Sequence, residues 1–164
     1  MIKIDTIDKK ISDLLIEDGR MSCSRIATRI GGISERAVRY RIDRLLKNGV
    51  ISVRGNVNAG ALELPVCADV FIEVEPGHIN EVARILAEFE NVSYVACSIG
   101  ERDISAQVIA RNNGEVYTFA TEVIGRLPGV RKTTTSILPV RMKDVHQWRI
   151  PRSITKAKTD RAKE

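Results

Sequence analysis

The sequence has 164 residues, of which 43% are hydrophobic and 4% aromatic, so we expect one or two small domains with aliphatic cores. No apolar run approaches the ~20 residues that span a bilayer, and the first residues lack the apolar centre and cleavage site of a secretory signal. The three cysteines are too few and too widely spaced for a disulfide framework. We therefore expect reduced thiols, a cytoplasmic location and no membrane partner.

The net charge of +5 is distributed unevenly along the chain. Residues 1–55 carry 12 basic and 7 acidic side chains, residues 56–148 carry 8 and 12, and residues 149–164 carry 6 and 2. Basic ends around an acidic middle indicate that the N-terminal part meets a polyanion, whereas the middle has another role.

Residues 22–47 have the pattern of two helices joined by a glycine turn. The helices are expected to begin at Ser22 and Ser34, because a serine hydroxyl can accept hydrogen bonds from free N–H groups at a helix start. Gly31 and Gly32 can adopt the positive φ that ends one helix and turns the chain. This arrangement is typical of proteins that place a helix in the major groove of DNA.

The second of these helices is amphipathic. Its predicted buried stripe consists of Val38, Ile42, Leu45 and Leu46. Its predicted DNA-binding residues are Ser34, Arg36, Arg39, Tyr40, Arg41 and Arg44. Arg36, Arg39 and Tyr40 are expected to meet base edges, and Arg41 and Arg44 to meet phosphates. A basic face that is merely solvated is the alternative, which the surrounding turn and capping signals disfavour.

The rest of the chain predicts a second domain of another class. A helix beginning near Asp5 completes a trihelical first domain, and the β-branched run after Gly49 predicts a short wing-like strand over residues 50–54. From Val66 the spacing of apolar residues alternates between strand-like and helix-like segments in the order β-α-β-β-α-β. This order predicts a ferredoxin-like sheet with one helix-free face. We expect that face to bury Val, Ile and Ala side chains against a second copy.

The predicted element bounds follow from these periods. Strands are expected over 66–74, 92–99, 104–110 and 130–140, and helices over 78–89 and 116–124. The expected divisions are a helix-turn-helix domain over 1–54, a linker over 55–65, the ferredoxin-like domain over 66–143 and a basic, flexible tail over 144–164.

The order of these features resembles the leucine-responsive regulator/AsnC (Lrp/AsnC) family of transcription factors. The opening I-D-T-I-D-K-K-I-S-D-L-L-I-E-D-G-R is similar to the family's first helix. The run G-I-S-E-R-A-V-R-Y-R-I-D-R-L-L-K-N-G-V-I is similar to its recognition helix and trailing strand, and P-G-V-R-K-T-T-T-S-I-L to its last strand. The resemblance covers about residues 4–143. It implies an α+β chain, with a winged helix-turn-helix domain followed by a βαββαβ (RAM) domain.

The resemblance also implies a function. Members of the family are sequence-specific regulators that bind double-stranded DNA as dimers or higher oligomers and often respond to amino acids. In the family the effector lies near a loop reading roughly G-x-Y-D between the second and third strands. Here the loop runs from Gly100 to Asp103, and Arg102 replaces the aromatic residue.

The residues expected to bind an effector are Gly100, Glu101, Arg102, Asp103, Thr133, Thr135 and Ser136. Arg102 could pair with a ligand carboxylate and Asp103 with its ammonium group, while the hydroxyls add hydrogen bonds. The alternative is a hairpin turn with an internal Arg–Asp pair that binds nothing.

The sequence leaves alternatives from two other classes of protein. Siroheme-decarboxylase-type enzymes resemble the same two-domain arrangement, but this chain has two histidines, His78 and His146, and its Tyr94 and Tyr117 are not clustered with them. A stand-alone ligand sensor is disfavoured by four arginines in the predicted DNA-binding helix. Because the histidines also lack ligand-spaced partners, we expect no metal site, no cofactor and no enzymatic activity.

Overall fold

The computed structural model describes residues 2–155, which form two compact units. The first unit contains residues 2–56 and 142–155, and the second contains residues 57–141. The chain therefore leaves the helix-turn-helix unit once and returns to it. Within residues 2–155, no helix combines the length and apolar character that crossing a bilayer requires.

The N-terminal segment of the first unit forms three helices: α1 (Thr6–Glu17), α2 (Cys23–Ile30) and α3 (Glu35–Lys47). They follow Asp5, Ser22 and Ser34, and each of these side chains accepts a hydrogen bond from the backbone N–H three residues further on. Gly31 and Gly32 have φ angles of 73° and 68°, a backbone conformation that residues with a Cβ rarely adopt. The predicted caps and glycine turn are therefore confirmed.

The core of this unit is aliphatic. Ile11, Ile26 and Val38 bring one side chain from each helix to the centre, and all three are fully buried. Leu45 is buried further along α3, but Leu46 is 41% exposed, so the predicted buried stripe was wrong at Leu46. Successive helical residues differ by about 100°, which turns Leu46 away from the packed side of α3.

The predicted wing strand over residues 50–54 is absent. Residues 51–58 form no regular secondary structure, and the four strands of the described residues all belong to one sheet in the second unit. A strand is stabilised by ladder hydrogen bonds to a neighbour, and in the described single chain this segment has none.

The second unit has the predicted ferredoxin-like order. Its elements are β1 (Val66–Val74), α4 (Ile79–Ala87), β2 (Val92–Cys97), β3 (Ile104–Ala110), α5 (Asn113–Thr118) and β4 (Val130–Ile137). The strands lie in the order β2-β3-β1-β4, and all pairs are antiparallel. β4 ends three residues before the predicted 140 because Pro139, which has no N–H, follows. The helix predicted over 116–124 begins at Asn113 and continues beyond α5 as π and 3-10 turns to Arg126.

The two faces of the sheet differ in chemistry. On the helix-covered face, Val70, Ile72 and Ile104 are fully buried and pack with α4. On the helix-free face, Gln107 donates a hydrogen bond to Asp69 over 3.0 Å. The face therefore presents acidic and aromatic side chains from β1 beside Ile109 of β3 and Ala96 of β2, so only part of the expected Val, Ile and Ala surface is present.

The turn before β4 packs closely against the start of α4. Gly129 has a φ of 83°, and a Cβ built on it would lie 2.6 Å from the Cβ of His78. Both constraints require glycine at this position. His78 is thus part of the packing of the second unit.

The C-terminal strap, which we define as residues 142–155, belongs to the first unit. It contains a 3-10 turn (Val145–Gln147) and a short helix, α6 (Arg152–Thr155), that packs on α1. Ile150 is only 9% exposed, and the guanidinium of Arg149 lies 3.8 Å from the Glu17 carboxylate. Where a flexible tail was predicted, residues 144–155 thus contact the first unit through the buried Ile150 and the Arg149–Glu17 pair; residues 156–164 lie outside the described residues.

We predict that Ile150→Ala lowers the free energy of unfolding of the first unit by about 2–4 kcal/mol, because it removes a buried side chain. Ile154→Ala is the matched control, since Ile154 is in the same strap but is 56% exposed, and we expect a change within about 0.5 kcal/mol. Urea unfolding followed by the fluorescence of Trp148, the single tryptophan, measures both. Equal stability of the two variants would show that the strap is not anchored at Ile150.

Candidate nucleic-acid interface and ligand-binding loop

One face of α3 is exposed and carries most of its charge. We call it the recognition face and define it as Arg36, Arg39, Tyr40, Asp43 and Lys47, all of which are exposed. At 3.6 residues per turn these side chains fall within an arc of about 100°. Tyr40 is 68% exposed although it is aromatic. Asp43 was missed by the sequence analysis, which weighed only basic and hydroxyl-bearing side chains.

Arg39 is partly engaged along the helix. Its Nη2 donates a hydrogen bond to Glu35 Oε1 over 2.8 Å, one turn earlier. This hydrogen bond to Glu35, with the negative charges of Glu35 and Asp43 nearby, raises the pKa of Arg39. The guanidinium is exposed and charged, so it can exchange this intrahelical partner for an external one.

Arg41 and Arg44 have a different role from the predicted one. Asp8 is fully buried, and its carboxylate accepts hydrogen bonds from both guanidinium groups, with 2.7 Å between Arg41 Nη1 and Asp8 Oδ1. Arg41 also donates to Asp5 over 2.8 Å. We call these four residues the Asp8 ion cluster. Both arginines thus have a structural role that was not predicted, because a buried carboxylate requires positive partners; their predicted contacts with phosphates stay a prediction.

The ionisation of the cluster follows from this geometry. The hydrogen bond to Asp5 raises the pKa of Arg41, against the opposing effect of burial. Burial by itself would raise the pKa of Asp5, but hydrogen bonds from the Asp8 N–H and from Arg41 lower it below its ordinary value of 3.8. Arg41 and Asp5 therefore join α3 to the start of α1 as a charged pair.

We predict that Asp8→Asn lowers the free energy of unfolding by about 3–5 kcal/mol, because two guanidinium groups lose a buried partner. Asp13→Asn is the control on the same helix: Asp13 pairs with Lys9 over 2.6 Å in a more exposed position. We expect it to cost about 1 kcal/mol or less. Thermal or urea unfolding followed by circular dichroism measures the difference. Equal losses in the two variants would contradict a structural role for the cluster.

The predicted effector loop is built around Asp103. Its backbone N–H donates to the Ile72 carbonyl over 3.1 Å, and its carboxylate accepts from the Val74 N–H over 2.7 Å. These bonds extend the β1–β3 ladder beyond its last residue pair, Ile72 with Ile104. One carboxylate oxygen is thus used to hold the loop, which the sequence analysis did not anticipate. Gly100 and Glu101 lie exposed at the tip of the loop.

Arg102 lies over the helix-free face of the sheet. Its guanidinium carbon is 4.2 Å from the centroid of the Phe71 ring, the distance of a cation–π contact. Ser98 Oγ donates to the Arg102 carbonyl over 2.7 Å and fixes the backbone of the loop. The contact orients an exposed guanidinium whose N–H groups remain available to an anion. The alternation of β1 could have indicated Phe71 as a partner.

The three predicted hydroxyl residues of β4 do not converge. Thr133 and Thr135 pair with Ile72 and Val70, whose side chains point to the helix-covered face. Ser136 pairs with Asp69 and therefore shares the helix-free face with Arg102. Thr133 and Thr135 cannot join Arg102 in one site, because successive side chains of a strand point to opposite faces.

Comparison with known proteins identifies both units. The family model described as a winged helix-turn-helix DNA-binding domain matches residues 4–52, and the model described as the Lrp/AsnC ligand-binding domain matches residues 67–147. An uncharacterized HTH-type transcriptional regulator of Pyrococcus furiosus is 38% identical over 136 residues, which cover 82% of this chain and 91% of that protein. The chain belongs to the Lrp/AsnC family of transcriptional regulators.

Other members agree in sequence and fold. The HTH-type transcriptional regulator FL11 of Pyrococcus abyssi is 33% identical over 138 residues, 84% of this chain and 90% of its own. The structure of Escherichia coli AsnC aligns with a TM-score of 0.78 at 19% identity and covers 88% of this chain and 99% of its own. A Neisseria meningitidis transcriptional regulator solved as an L-Met complex also aligns with a TM-score of 0.78 at 19% identity, over 87% of this chain and 94% of its own.

Proposed function

We propose that this Lrp/AsnC regulator reads double-stranded DNA with the recognition face of α3 and that a small carboxylate, an amino acid in the first instance, modulates it. The observation that carries the DNA part is the division of α3 into a side held by the Asp8 ion cluster and the aliphatic core, and an exposed side with free cationic groups. The ligand part rests on the exposed Arg102 guanidinium stacked on Phe71.

The recognition face contains the side chains that DNA contacts require. Arg36 makes no hydrogen bond or ion pair with other described residues, so its guanidinium can donate to a guanine edge. Arg39 and Tyr40 lie one turn further along the same face. Lys47 lies where its ammonium group can contact a DNA phosphate. Ser34 Oγ accepts from the Ala37 N–H, while its hydroxyl proton can donate to the backbone of DNA.

Two copies of the chain would present two such helices. We propose a homodimer formed through the helix-free face of the sheet, with further assembly into higher oligomers. The part of that face away from Arg102 carries the half-exposed Tyr94 and Ile109 among polar residues, a mixture typical of an interface core and rim. Half-sites about one helical turn apart, or a multiple of it, follow from a two-fold axis.

The similarity to named regulators supports a role without catalysis. The relatives are named transcriptional regulators, and their similarity extends over both units. We therefore propose a non-enzymatic protein without a cofactor, acting in the cytoplasm where its DNA is found.

We predict that Arg36→Ala weakens operator binding by about 1–3 kcal/mol and relaxes preference at one base, because a base-edge hydrogen bond is lost. Arg84→Ala, an exposed arginine of α4, removes the same charge from the second unit and serves as control. Fluorescence anisotropy with labelled operator measures both. If Arg36→Ala bound as tightly as wild type, α3 would not be the reading helix.

The ligand proposal depends on Arg102. A guanidinium held over an aromatic ring can form a bidentate pair with a carboxylate, and Ser136 lies on the same face. The second oxygen of Asp103 can accept from an ammonium group while the first remains with Val74. The Neisseria meningitidis neighbour, whose title names a complex with L-Met, supports an amino acid as the first class to test.

We predict that an amino acid whose side chain fits the site shifts operator affinity by about 1–3 kcal/mol, and that Arg102→Ala abolishes the shift. Arg111→Ala is the control, since Arg111 is exposed in the same unit and pairs with Glu115 only at 3.9 Å. Calorimetry against the twenty amino acids and common 2-oxo acids measures binding. Silence across this panel in the wild type would contradict an amino-acid effector.

A further inference from the structure

A row of alternating charge begins beside the recognition face and continues along it. Glu35, Arg39, Asp43 and Lys47 follow one another at intervals of four residues. The first pair closes, with 2.8 Å between Arg39 and Glu35. Asp43 is exposed and makes no hydrogen bond or ion pair within 4.0 Å to any residue between 2 and 155, although its negative charge acts on Arg39 one turn earlier. Its carboxylate can therefore accept a hydrogen bond from an external partner.

Asp43 lies where α3 faces outward. It is seven residues after Arg36 and three after Tyr40, so the three side chains line one side of the helix. The buried Val38 and Leu45 fix the opposite side, which prevents α3 from rotating Asp43 away. When Arg36 and Tyr40 meet base edges, Asp43 faces the same groove two turns along the helix.

A carboxylate in the major groove has few favourable partners. The phosphates repel it, and guanine presents the acceptors N7 and O6. Thymine presents O4, and adenine places the acceptor N7 beside its amine. Cytosine presents its N4 amine as the donor without an adjacent acceptor. We propose that Asp43 selects cytosine at one position of each half-site. This inference rests on the proposed function of α3.

The alternative for Asp43 is a contribution to helix stability through the charge row, worth about 0.2–0.5 kcal/mol per pair. That role predicts a small change in unfolding and no change in base preference. Base preference therefore separates the two roles, whereas affinity alone does not.

The test is selection of binding sites from random double-stranded DNA with the full chain and with Asp43→Asn. Glu88→Gln is the control, because it removes one negative charge from an exposed side chain of the second unit. We expect a motif with cytosine at one position per half-site in the wild type. In Asp43→Asn that preference should fall about tenfold, with the other positions kept. Binding to unrelated DNA should become tighter, since a repulsive charge is gone.

The outcomes separate this inference from the proposed function. No enriched motif from the wild type would overturn the DNA-reading function itself. A wild-type motif that Asp43→Asn reproduces at every position would overturn the role of Asp43 and leave the function standing. Equal loss of preference at all positions in Asp43→Asn, with a lowered melting temperature, would also overturn it and assign Asp43 to helix stability.

Discussion

The buried carboxylate of Asp8 is the interaction on which the DNA-binding unit depends. A charge in an aliphatic core is unstable unless it is paired, and both cations that pair with Asp8 come from α3. Because the partners lie more than thirty residues away, the pairing sets the rotation of α3 relative to α1. Arg41 and Arg44 therefore face α1, and the recognition face lies on the exposed side of α3.

This constraint changes how the basic character of α3 is understood. From the sequence alone, the four arginines of α3 cannot be told apart by role. In the structure Arg41 and Arg44 hold the helix in place, Arg39 is shared with Glu35, and Arg36 is free within the described residues. A mutation at Arg44 would therefore destabilise the unit, and its effect on DNA binding would include that loss of stability as well as the loss of any phosphate contact.

The features that sequence could predict are those set by local rules. Serine and aspartate caps, the glycine turn and the β-α-β-β-α-β order depend on neighbours within a few residues. The Asp8 ion cluster and the anchoring of Ile150 depend on contacts between distant segments, which no local pattern reveals. Strand alternation alone could have predicted that Thr133 and Thr135 face the opposite side of the sheet from Ser136. The sequence analysis grouped the three residues because they are close in sequence. The loop between β2 and β3 lies where the sequence predicted a loop, whereas the use of Asp103 to complete a ladder required the structure.

The most direct test of this account is a double-mutant cycle on Asp8 and Arg44, measured as free energies of unfolding of Asp8→Asn, Arg44→Gln and the double variant. If Asp8 and Arg44 are partners, the double variant should lose less stability than the sum of the two single losses, by at least about 1 kcal/mol. Additive losses, within about 0.5 kcal/mol, would contradict the account and leave Arg44 free to meet DNA.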